Sequence, residues 1–214
     1  MAKSLCPHCG AVNSVLISDT ETECDICHAK YNPQKGLVNR NEVTCSKCGK
    51  TFVITDALKS QELPLKHRMY SKLILTNDGN KEYHPISEYD LQLYDKAVTD
   101  LKKNSLKIPN IRIQSGYNTD QILNYGYEFW HQLFNDRQLL CLGILGNRIR
   151  QLEDQSMREL FTCLFSGCLE FNNMFSSFKG EGTGAVRPMF YHHILKPERT
   201  PLEANVWGTS KSSS

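Results

Sequence analysis

The chain has 214 residues, 40% of them hydrophobic and 9% aromatic, enough for one or two domains with cores of their own. A formal charge of +2 and an isoelectric point near 8.0 are too mild to argue for a nucleic-acid partner by themselves, so any such claim rests on local features. No apolar run reaches the roughly eighteen residues of a membrane span, and the opening Met-Ala-Lys-Ser-Leu leads straight into a cysteine turn rather than a secretory signal. These features predict a soluble, cytoplasmic protein without a membrane partner.

The amino-terminal stretch is dominated by cysteine. Six of the nine cysteines form three Cys-x-x-Cys pairs, Cys6/Cys9, Cys24/Cys27 and Cys45/Cys48. Two cysteines three positions apart across a tight turn place both sulfurs on one side of the backbone, where a tetrahedral zinc ion takes them at about 2.3 Å. Fourteen residues separate Cys9 from Cys24 and seventeen separate Cys27 from Cys45, so either neighbouring choice of pairs suits a zinc ribbon. Four thiolates complete a structural site. The remaining pair, with His8 and His28, stays as spare ligands or as part of a second site. The turn at Cys45 and Cys48 is the strongest of the three, because Gly49 accepts the positive φ that lets backbone amides face the sulfurs. A redox dithiol is the competing reading, but that chemistry shows one pair beside a βαβ pattern.

Between the pairs, Val12, Val15, Leu16 and Ile17 predict a short strand, and Leu37, Val38 and Val43 flank a turn at Asn39, Arg40 and Asn41 as a hairpin does. So few apolar groups do not hold some fifty residues together. Metal binding, about 10–16 kcal/mol for zinc peptides, is the term large enough to offset the chain entropy.

After a basic cluster at Lys59, Lys66, His67 and Arg68, the alternation of residues 69–75 predicts a strand. Asn77 to Asn80 form its hairpin turn, and Lys81 to Tyr83 return until Pro85. Ser87 opens a helix running to about Lys103, with Leu91, Tyr94, Ala97, Val98 and Leu101 at helical spacing. Residues 108–113 are extended by Pro109. Three helices are expected next. One is capped at Thr119 or Asp120 and carries an apolar stripe from Ile122 to Phe134, the second is capped at Asn135, and the third opens at Ser156. Cys141, Cys163 and Cys168 fall in apolar helical patterns and read as buried thiols. So many apolar faces call for a larger partner surface than three helices supply.

From Lys179 onward, Gly180, Gly182 and Gly184 predict a flexible loop, Pro188, Pro197 and Pro201 exclude helix, and Ser210 to Ser214 read as a disordered end. The glycine loop has the wrong flanks for a nucleotide cradle, which needs a strand before it and a helix after it. His192 and His193 are adjacent, so an extended backbone sends them opposite ways. No complete catalytic constellation is present. The fold class is therefore α+β: a zinc ribbon over residues 1–55, a β-hairpin plus helix over 56–104, a bundle-like helical region over 105–178, and an extended tail over 179–214.

Several segments in order resemble one family. The cysteine pairs with NPQKG at 32–36 before CSKCG at 45–49, then YGYEFWHQLFNDRQLL at 125–140, RPMF at 187–190 and KPERTPLEAN at 196–205 look like the middle of the zinc-ribbon-containing adenine-specific DNA methylases. The resemblance spans nearly the whole chain and is most specific at 134–140 and 196–205. It implies S-adenosylmethionine-dependent methyl transfer to the exocyclic amine of adenine in DNA. The cofactor loop and an Asp-Pro-Pro-Tyr type motif would lie outside this stretch, on a Rossmann-like domain in the same or another chain. No Pro-Pro dipeptide occurs here, and no catalytic residue is carried over. On this reading Lys47, Lys50, Arg137, Arg187 and Arg199 are the candidates to position DNA through its phosphates. The other class of function is a stand-alone zinc-ribbon module that binds nucleic acid or serves as a protein adaptor.

Overall fold

The computed structural model describes residues 2–45, 47–58, 66–178, 186–191, 195–198 and 200–207. The chain is mixed α+β and divides into two compact units, Met1–Ser87 and Glu88–Ser214. The hairpin and the helix that sequence places together in 56–104 thus fall in different units. Arg199, His192, His193, the glycine loop at 180–184 and the serine end lie outside the described residues. Among the described residues no helix is long and apolar enough to cross a membrane.

The first unit is a series of small antiparallel hairpins. β1 (Ala2–Leu5) pairs with β2 (Val12–Val15), and β3 (Thr22–Glu23) pairs with β4 (Lys30–Tyr31). β5 (Val38–Asn39), β6 (Glu42–Thr44) and β7 (Thr51–Val53) form a three-stranded sheet that runs into the short helix α1 (Ile54–Leu58). The expected hairpin around Asn39 to Asn41 is there, and Arg40 takes φ 56° in its turn. β8 (Ser71–Leu75) and β9 (Lys81–Pro85) pair from Ser71 opposite Pro85 to Leu75 opposite Lys81, closed by Gly79 at φ 84°. The hairpins at β1/β2, β3/β4 and β6/β7 share one design, with a Cys-x-x-Cys turn at each tip.

The second unit is helical. α2 (Glu88–Lys103) packs on α4 (Asp136–Arg150), and α4 packs on α5 (Gln155–Phe171). Gly146 admits Phe165 at the α4/α5 contact, and Gly143 makes room for Leu106. The Asn135 cap forms as expected: its side chain accepts the Gln138 amide while the Gln138 side chain accepts the Asn135 amide. α5 opens two residues earlier than Ser156 suggests, because the Asp154 carboxylate accepts the Met157 amide and is the cap.

The single helix expected from Thr119 to Phe134 is two short pieces, α3 (Asp120–Leu123) and a 3-10 turn at Trp130–Leu133. Gly126 at φ 81° stops the first, and Phe129 is extended at φ −127°, ψ 145°, where Arg112 bridges to it. The apolar stripe still does its work without the helix. Ile122, Tyr127 and Leu133 join Ile113, Met174, Phe175 and Leu195 in the core of this unit.

The described tail is extended and free of helix, and it is packed. β10 (Ser177–Phe178) pairs with β11 (Val186–Arg187), Leu195 is buried in the core, and the Leu202 amide donates to the Ser176 carbonyl at 2.9 Å. Its described parts are therefore tied down by backbone pairing, the Met189 amide reaching the Glu170 carbonyl at the end of α5 as well. Cys163 is exposed and Cys141 and Cys168 are half-buried rather than buried, and Cys163 shares α5 with the exposed Leu160, Phe161 and Leu164.

Candidate metal centre

Each Cys-x-x-Cys turn closes by the same two backbone hydrogen bonds. The amide of the first cysteine donates to the carbonyl five residues on: Cys6 to Ala11 at 2.8 Å, Cys24 to Ala29 at 3.1 Å, Cys45 to Lys50 at 2.9 Å. The amide four residues on donates back: Gly10 to Cys6 at 2.9 Å, His28 to Cys24 at 3.0 Å, Gly49 to Cys45 at 2.9 Å. That residue has positive φ in all three turns, 74°, 57° and 70°. A methyl group at Gly10 would also meet the Arg68 guanidinium at 2.5 Å, though that is the movable end of an exposed side chain.

The first two turns face each other. Cys6 Sγ lies 3.6 Å from Cys27 Sγ and Cys9 Sγ lies 3.6 Å from Cys24 Sγ. All four sulfurs are within 4.8 Å of one another. A disulfide needs about 2.0 Å, whereas the edge of a tetrahedron with zinc–sulfur bonds of about 2.3 Å is about 3.8 Å. The spacing is that of a four-thiolate zinc site. Backbone amides support it: His8 donates to Cys6 Sγ and Ile26 to Cys24 Sγ, both at 3.4 Å.

The electrostatics make the same case. The Cys27 amide, aided by the Ile26 amide and the Cys9 and Asn13 side chains, outweighs desolvation and lowers the Cys24 thiol to about 6. The Ala29 amide favours the Cys27 thiolate, but desolvation and the sulfurs of Cys9, Cys6 and Cys24 prevail and push Cys27 up to about 12. Four anions at this spacing repel; a divalent cation between them removes the conflict.

One residue of this centre carries no signal in its spacing. Asn13 is 2% exposed; its Nδ2 donates to the Ala11 carbonyl at 3.1 Å and to Cys24 Sγ at 3.7 Å, and its Oδ1 accepts the Asp25 amide at 2.9 Å. It ties the first turn to the second, the outer support that ligands of a metal require. The clue is a polar residue at an inward position of β2, two before the buried Val15. Tyr31 covers the buried Cys6 and Cys24 from β4.

The remaining candidates are placed elsewhere. Cys45 and Cys48 form their turn but are not in the four-sulfur cluster, the one metal-type group among the described residues. The amides of Cys48 and then Lys47 lower the Cys45 thiol. His8 and His28 stay outside the cluster, and His28 Nδ1 lies 3.2 Å from Glu23. Lys47 and Lys50 are exposed beside the third turn. Arg187 is half-buried over the Tyr191 ring at 4.8 Å.

Arg137 is engaged inside its own unit. Its Nε and Nη2 donate to the Glu203 carboxylate at 2.7 and 2.9 Å, and its guanidinium lies 5.3 Å from the Tyr94 ring centre. The pair is 31% and 23% exposed. Replacing either partner by alanine should cost about 1–2 kcal/mol, between an exposed and a buried pair, and the double variant should recover part of it. Hydrogen exchange at residues 200–207 reads the loosening; equal exchange in all variants would show that the pair does not hold the tail.

Comparison of the chain with protein-family models, with curated proteins and with solved structures finds no match.

Proposed function

We propose that this chain is the zinc-ribbon and helical part of an S-adenosylmethionine-dependent adenine-specific DNA methyltransferase, and that it positions DNA rather than performing the transfer. The observation that carries the reading is the four-sulfur centre, a rigid knob built on hairpins too small to fold by burial. Zinc is its metal, held by Cys6, Cys9, Cys24 and Cys27, and its role is structural because four protein ligands leave no open position. The resemblance of residues 125–140 and 196–205 to the methylases supplies the reaction class. In support, α5 turns Met157, Leu160, Phe161 and Leu164 to solvent, 45%, 54%, 38% and 57% exposed, a face suited to cover by a cofactor-binding domain.

With Arg137 engaged by Glu203 and Arg187 half-buried over Tyr191, the exposed candidates to meet phosphate on this reading are Lys47 and Lys50; Arg199 lies outside the described residues. Titrating a short DNA duplex at two salt concentrations tests the reading. Binding should weaken steeply with salt, and Lys47→Ala should flatten the log–log slope by about 0.9 for one lost phosphate contact while leaving the zinc content unchanged. An absence of binding at low salt would exclude the DNA role. The exposed face of α5 would then favour the protein-adaptor reading.

A further inference from the structure

The third cysteine turn closes by the same two hydrogen bonds and positive φ as the other two, and among the described residues no further ligand group faces it. Cys48 is exposed and Cys45 half-buried. Among the described residues nothing beyond its chain neighbours lies within 4 Å of where a side chain at Gly49 would begin. The turn is thus formed and open, with two ligands where zinc takes four.

The closed centre shows what completes such a turn. There the first cysteine of one turn faces the second of the other, Cys6 against Cys27, and the second faces the first, Cys9 against Cys24. This is an approximate two-fold relation between two turns of one backbone geometry. Two copies of the third turn, related by a true two-fold axis, reproduce it with Cys45 of each copy facing Cys48 of the other. We propose that Cys45 and Cys48 form half of an intermolecular zinc site that joins two copies of this chain.

The chemistry balances. Four thiols release four protons as one Zn²⁺ displaces them, and the resulting centre carries a net charge of −2. Each copy brings Lys47 and Lys50 within the turn itself, so four ammonium groups surround that charge. The intramolecular turns have no lysine inside them; there Arg68 lies over Gly10 instead. Phe52 on β7 and Leu37, just before β5 with its carbonyl accepting the Thr44 amide, are 43% and 38% exposed and supply an apolar rim that the second copy would cover. The site is isologous, as two-fold contacts are, and it closes without leading to a filament.

Sedimentation velocity and metal analysis on the full chain, with Zn(II) alone as the probe, decide the matter. The wild-type chain should sediment as a dimer and hold about one and a half zinc ions per chain, one intramolecular and half of a shared one. The Cys45→Ser/Cys48→Ser variant should be a monomer with about one zinc per chain, the retained ion showing that the first centre is intact. Cys48→His, which keeps a ligand, should retain the zinc-dependent dimer, whereas Cys48→Ser should lose it. A wild-type monomer at saturating zinc, a monomer holding two ions, or a dimer that persists in the double serine variant would each overturn the proposal. Loss of DNA binding would leave this result untouched, so the two readings fail separately.

Discussion

Cys24→Ser should unfold the first two hairpins of the amino-terminal unit while leaving α4 and α5 formed. Cys24 is fully buried, accepts the Ile26 amide and the Asn13 side-chain amide, and has its thiol lowered to about 6 chiefly by the Cys27 amide. Its loss removes a ligand and leaves a buried hydroxyl among three sulfurs. Metal binding is about 10–16 kcal/mol in small zinc domains and is the same free energy that folds them. The buried cluster here, Cys6, Cys24 and Tyr31 with Ala11 against it, offers no comparable substitute. Chelation of the wild type should act alike. Limited proteolysis should then cut within residues 2–45 while the helical circular dichroism of the second unit persists. An unchanged digestion pattern after complete zinc removal would mean that the hairpins stand without metal.

Cys24 and Cys27 act in opposite senses on whatever fraction of the hairpins stays folded without metal. Cys24 is lowered on folding, so it contributes stability present above the ordinary thiol range and lost as pH falls through about 6. Cys27 is raised to about 12 and acts oppositely: the folded state favours its thiol, so its contribution fades as pH climbs toward that value. Zinc needs both as thiolates. Acid should therefore release the metal, and the hairpins should loosen with it.

Phe175→Ala should cost the second unit about 3–5 kcal/mol, the range for a buried aromatic cut to alanine. Phe175 is 3% exposed, meets Tyr127 edge-on at 5.3 Å, and lies in the one buried cluster that contains residues from the α3 region, the 3-10 turn and the tail. Its backbone is fixed as well. Asn173 accepts the Phe175 amide at 2.9 Å while its Nδ2 donates to the Leu169 and Glu170 carbonyls, each at 2.8 Å, so the chain leaves α5 in one direction. The cavity opens in the cluster that also holds Leu195, and the tail should loosen with the core. Urea unfolding followed by helical circular dichroism measures the loss. A cost under about 1 kcal/mol would mean that the tail and the 3-10 turn do not share a core.

Sequence alone settled what is decided within about five residues. Cys-x-x-Cys followed by a residue that tolerates positive φ suffices for each of the three turns; the Asn135 cap and the Gly79 hairpin are equally local. Such features are legible because the donor, the acceptor and the strained φ lie within one turn of chain. The choice of which two cysteine turns face each other was not. All three look alike at that range, and the selection depends on Asn13 joining β2 to the Cys24 turn and on Tyr31 covering the sulfurs. The break at Gly126, the union of Arg137 with Glu203 and the burial of Leu195 belong to the same class. An apolar stripe records that residues are buried, but which surface buries them depends on chain folded back from tens of residues away, and only the tertiary structure decides that.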